Sequence, residues 1–216
     1  MGSILEKVTL YDFLGYLVPG LVFLTIVLFC PIADMNNVET LNIYNTGIFT
    51  AIFLLAGFTS GILLSEISRI IFSVPFCFRR FRKFYYKIIL KKSGLETEVI
   101  KQALINSGFM LSPSSDNIQD IAQYRRAMYG DIQIDEQYKR IHNYASAESM
   151  YKNLSFAFLI GGAVFRLYFD CAQHSSGWVF CFVWWGGVLL FAGRHIRFHL
   201  KRDLYTLVWF VGKYLT

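Results

Sequence analysis

Charge is scarce in this chain. Charged residues make up 17% of its 216 positions, against about 25% in an ordinary soluble domain, while hydrophobic residues reach 55% and aromatics 18%. That balance excludes a typical soluble globular domain and points to an all-α membrane protein. The signatures of catalysis are missing too. There is no Walker loop, no GxSxG, no HExxH and no paired CxxC, so nucleotide hydrolysis, serine hydrolysis and zinc proteolysis have no recognisable seat. Asp12 with Tyr11 and Tyr16 supplies one carboxylate without a partner, which is not a proton-transfer mechanism. His195 and His199 have helical ligand spacing but lie among Arg194, Arg197 and Lys201, which repel a metal cation. The expectation is a protein that is not an enzyme and has no metal and no cofactor.

The apolar residues collect in four stretches, residues 10–32, 47–72, 154–169 and 177–193. Each approaches the ~17 to 25 residues a tilted helix needs to cross the hydrocarbon. The first carries Asp12 near its start and no small-x-small cleavage site, so it reads as a retained anchor. Residues 33–46 hold no lysine or arginine, and neither does the turn CAQHSSG at 171–177. Basic residues concentrate instead in the middle segment and in RHIRFHLKR from Arg194. By the positive-inside rule both termini are then cytoplasmic, in a multi-pass protein of the bacterial inner membrane.

The layout that follows is a first transmembrane pair at 1–75, a cytoplasmic basic helix with a helical insertion at 76–153, a second transmembrane pair at 154–193, and a C-terminal amphipathic, interfacial helix at 194–216. Pro19 and Gly20 predict a kink or break in the first span, Pro75 predicts the end of the second, and Gly57 and Gly61 form a GxxxG pair suited to close helix approach. Gly161, Gly162, Gly186 and Gly187 offer further tight-packing positions. In the insertion, Leu95, Val99 and Ala103 share a face, Asp116 and Gln119 form a capping box, and a helix from about Asp135 runs unbroken into the third span as one rod. Leu200, Leu204, Leu207, Val211 and Leu215 make the apolar stripe of the last helix. Of four cysteines, Cys30 and Cys171 lie near outer helix ends where they could pair, with buried free thiols as the alternative, whereas Cys77 and Cys181 would not meet.

The strongest local signal is FCFRRFRKFYYKIILKK at 76–92, seven basic residues and no acidic one. Arg79, Lys83, Lys87 and Lys91 recur every fourth position, with Phe81, Tyr85 and Ile88 on a separate stripe, the pattern of an amphipathic helix at a membrane surface. Two partners satisfy that charge: anionic lipid, or the phosphates of a nucleotide or nucleic acid. The candidate phosphate contacts are Arg79, Arg80, Arg82, Lys83, Lys87 and Lys91, supported by Arg125, Arg126, Lys139 and Arg140, with Tyr85 or Tyr86 stacking on bases. Inside or beside the spans, Glu66 with Arg69 and Arg166 with Asp170 have intrahelical ion-pair spacing. They would either line a pore or snorkel from helix ends.

YDFLGYLVPGLVFL, the basic stretch and RIHNYASAESMYKNLSFAFL together resemble small bacterial inner-membrane proteins of antiphage defence loci, most of all the membrane effectors of the Hailong system. That resemblance implies an oligomeric channel partnered with a nucleotidyltransferase encoded nearby, whose single-stranded DNA oligomer holds the channel shut until its loss depolarises the cell. Four spans are few for a transporter, and a homo-oligomer such as a tetramer makes a pore more easily. The alternative is a noncatalytic membrane anchor or scaffold that recruits a soluble enzyme through residues 93–153.

Overall fold

The computed structural model describes residues 10–32, 47–77, 79–109, 118–132, 138–168 and 177–215. These form seven helices and no strand: α1 Leu10–Ile32, α2 Gly47–Cys77, α3 Arg79–Ser93, α4 Thr97–Asn106, α5 Ile118–Ile132, α6 Tyr138–Tyr168 and α7 Gly177–Leu215. The all-helical class is as the apolar periodicity requires. Among the described residues, Phe49–Ser73 is long and apolar enough to cross a bilayer, with 25 residues, a mean hydropathy of 1.7 and 22% burial. Gly15–Val27 is apolar but shorter.

Helices run through three places where a break or a change of segment was expected. Helix α1 passes Pro19 and Gly20 without a break, and α2 continues past Pro75 to Cys77. A proline removes one N–H donor and crowds the preceding turn, but a helix survives it where neighbouring groups cover the freed carbonyl. Pro19 is fully buried. The third case is α7, one helix of 39 residues in which the change from apolar to basic sequence at Gly193 and Arg194 changes the surroundings and not the backbone. Helix α6 likewise runs unbroken for 31 residues. The side chain of Cys30, all of Cys171, the Asp116 cap and the start of the third insertion helix at Asp135 lie outside what is described.

The chain divides into two units. The first, residues 1–71 and 146–196, is joined by close backbone approach. A Cβ on Gly20 would strike the carbonyl of Gly57, and one on Gly61 would strike that of Tyr16, so α1 and α2 touch through glycines on both helices. Phe13 stacks on Phe58 at 5.3 Å beside this crossing. Asn153 of α6 is fully buried. Its Oδ1 accepts from the Ser68 hydroxyl of α2 at 2.8 Å, and its Nδ2 donates to the Gly15 carbonyl of α1 at 3.3 Å. One amide therefore ties three helices together. Between α6 and α7 the indole of Trp184 fills the space over Gly161 and Gly162, Phe158 lies against Gly187, and no described residue lies within 4 Å of a Cβ built on Gly186.

The second unit comprises residues 72–145 and 197–216. Tyr85, Tyr86 and Ile89 of α3, Ile100, Ala103 and Leu104 of α4, Met128 and Ile132 of α5, Ile141 of α6 and Leu207, Phe210 and Val211 of α7 form its core. Gly94, at φ +67°, turns the chain from α3 to α4 in a conformation that favours glycine. Polar ties hold the end of α7. Lys213 and the Tyr214 hydroxyl both donate to the Asp131 carboxylate of α5, at 3.1 and 3.0 Å, and Asn106 of α4 donates to the Tyr214 carbonyl at 2.8 Å. The C-terminal segment expected to lie at a membrane interface thus has protein against its apolar side. From residue 197 the segment's apolar stripe is part of a protein core, because an amphipathic pattern states that a face needs an apolar partner and leaves the partner open.

Candidate functional site

Helix α3 is the centre of the cationic surface. Arg80, Lys83, Lys87 and Lys91 are exposed along one face, since a helix returns every three to four residues to the same side. Tyr85, Tyr86 and Ile89 face the other way and are 5%, 9% and 3% exposed. The two tyrosines expected to stack on bases are walls of the core, which leaves little of either ring accessible. The side chains of Arg79, Arg82, Arg126 and Lys139, and all of Asp170, lie outside the described residues. Arg140 is exposed and lies over the Tyr205 ring at 5.1 Å. Glu66 and Arg69 form an i,i+3 ion pair with both side chains exposed, and Arg166 is exposed on α6.

Arg125, expected to touch a ligand phosphate, pairs inward. Its guanidinium lies 3.2 Å from Oδ2 of Asp203, and Asp203 is only 6% exposed. The same Oδ2 accepts from the Tyr85 hydroxyl at 2.9 Å. Arg202 donates through Nε and a terminal nitrogen to Oδ1 at 3.1 and 2.9 Å, and Nε2 of His199 stands 3.7 Å from Oδ2. A carboxylate buried to this degree is costly unless paired and hydrogen-bonded, and here one carboxylate is met from α3, α5 and its own helix. Burial pushes the Asp203 carboxyl up, but Arg202, then Arg125 and His199, outweigh it and hold the group below the usual carboxylate range. Burial pushes the Tyr85 phenol far up, and the Asp203 charge and hydrogen bond add to that. Tyr86 is raised by burial as well. Tyr144 goes the other way: burial opposes ionisation, but hydrogen bonding and charge from Arg140, with Tyr205 and Lys201, lower it.

A pocket of about 350 Å³, including space open to solvent, adjoins the network, lined by Tyr86, Ile89, Leu90, Arg125, Met128, Asp203, Thr206 and Leu207. Arg125 and Asp203 answer each other's charge there, so the pocket offers apolar wall more than an anion seat. Asp203 was missed from the sequence, although a signal existed. It is the one acidic residue after Asp170, set among Arg194, Arg197, Lys201, Arg202 and Lys213. His195, by contrast, takes part in the first unit, its Nδ1 3.3 Å from the Glu148 carbonyl.

The class these features define is an all-helical protein with, among the described residues, one helix long and apolar enough to cross a bilayer and a cationic helix next in the chain. No family model, curated protein or solved structure matches it.

Proposed function

We propose that the protein is an oligomeric membrane channel of antiphage defence, held in one state by an anionic ligand on the cytoplasmic face and depolarising the cell when released. The observation that carries this reading is the junction of α2 and α3: a segment able to span the bilayer, ending at Ser73, leads within a few residues into a helix whose exposed face is Arg80, Lys83, Lys87 and Lys91. In this reading α1 and the apolar parts of α6 and α7 join α2 as four spans of the inner membrane, with both termini inside. The uncovered apolar residues of α7 support it. Phe182, Val183, Leu189 and Leu190 are 76%, 65%, 70% and 58% exposed, a surface suited to lipid or another subunit and poorly suited to water. The continuous helices α6 and α7 offer paths by which a cytoplasmic ligand could bias a pore, provided its affinity differs between open and closed states. A nearby nucleotidyltransferase and its DNA oligomer enter only through the resemblance described above.

Membrane potential and growth on induction of this chain, alone and with its neighbouring gene, test the reading. Rapid depolarisation relieved by the neighbour is expected. Full insertion without depolarisation in either state overturns the channel and leaves the scaffold, which the compact α3–α5 core, as a docking body, would serve.

A further inference from the structure

The exposed face of α3 is not purely cationic. Phe84 is 64% exposed and Phe81 41%, and on the helix surface Phe84 has Arg80 four positions before it, Lys87 three after and Lys91 seven after. No acidic residue occurs from 76 to 92 to neutralise those cations. A phenyl ring held outward among four ammonium and guanidinium groups fits a boundary that is anionic on one side and apolar just below it. There Lys and Arg stems run along the apolar layer while their heads stay with the phosphates. A soluble polyanion would satisfy the charges but would need a groove and stacking faces. The two tyrosines that could have walled such a groove are turned toward the core, and in the pocket beside Tyr86 the charges of Arg125 and Asp203 answer each other.

We infer that Arg80, Lys83, Lys87 and Lys91 with Phe81 and Phe84 form a seat on the bilayer itself, the cations on lipid phosphates and the rings at the boundary between headgroups and acyl chains. This rests on α2 being a span, which delivers the start of α3 to the headgroup layer. The anionic ligand of the proposed gate is then lipid of the cytoplasmic leaflet, and α3 reports the lipid composition of that leaflet to the second unit through Tyr85 and Tyr86 on its opposite face.

The test introduces Phe84→Trp into the full chain, reconstituted in vesicles of zwitterionic lipid with or without phosphatidylglycerol, and reads the added fluorescence against the unsubstituted protein, which has four tryptophans. A carbonate wash comes first: protein that washes off shows that α2 is not a span, and the proposed function and this inference both fall. In retained protein, brominated acyl chains should quench the added emission in phosphatidylglycerol vesicles, and Lys83→Gln with Lys87→Gln should lose most of that quenching. If instead aqueous iodide quenches the indole with and without phosphatidylglycerol and a single-stranded oligonucleotide shields it, the occupant is a free polyanion: the lipid seat is overturned and the ligand-gated channel stands. Iodide quenching that neither lipid nor oligonucleotide relieves overturns the seat and removes α3 from any gating.

Discussion

Each unit holds a buried polar group that ties helices together, and the two groups differ in charge. In the first, one neutral amide, Asn153, bridges Ser68 and Gly15 within a surface of exposed leucines, isoleucines and phenylalanines. In the second, a full negative charge at Asp203 is buried and answered by Arg125, Arg202, His199 and the Tyr85 hydroxyl. A neutral hydrogen-bonded group has a modest desolvation cost and so can be held by two contacts. A buried carboxylate needs a full shell of donors and cations. The Asp203 network is thus expected to depend on a few charged positions and the Asn153 bridge on two neutral contacts, although the first unit also buries Glu148 and His195.

The largest break in that comparison is Asp203→Ala. It leaves two guanidinium groups without their carboxylate and should destabilise the second unit by about 3 to 5 kcal/mol, read as loss of hydrogen-exchange protection at Ile89, Leu104 and Phe210 while the Phe156 region of the first unit keeps its own. Equal loss in both units would refute independent stabilisation. Next is Asn153→Ala, which removes two interhelical hydrogen bonds. In a membrane-like medium such bonds contribute about 0.6 to 1.7 kcal/mol each, and the protection lost should be that of the first unit.

The pH dependence sharpens the contrast further. Asp203 is held below its ordinary range, so the stability it contributes is present above about pH 4 and lost as pH falls through its folded value. Tyr85 is raised, so its contribution is present below about pH 10 and lost as pH climbs toward its folded value. Protection of the second unit should fall at both extremes, with Asp203→Asn flattening the acid limb and Tyr85→Phe the alkaline one. An acid limb untouched by Asp203→Asn would show that another carboxylate sets it. The smallest effect on stability is expected from Lys83→Gln with Lys87→Gln, within about 0.5 kcal/mol because both side chains are exposed. The same pair should still weaken adsorption to anionic surfaces and flatten its salt dependence. A large loss of stability would mean that the two lysines serve the core.

The amino-acid sequence by itself determined the helical class, a segment at Phe49–Ser73 long and apolar enough to cross a bilayer, and the cationic face of α3, because each depends on local composition and a 3.6-residue period. Gly57 and Gly61 were legible as a close-approach pair, though their partners, Gly20 and the Tyr16 carbonyl, were not. Only the tertiary structure decided which side of α3 each aromatic occupies. Periodicity alone grouped Phe81 with Tyr85, yet the fold exposes the first and buries the second, because the core side of a helix is set by the helices packed on it. It also decided that the stripe of Leu207 and Val211 meets protein, and that Arg125 turns inward to Asp203. Those outcomes depend on contacts between residues far apart in the chain, such as Tyr85 and Asp203, and no local spacing encodes them.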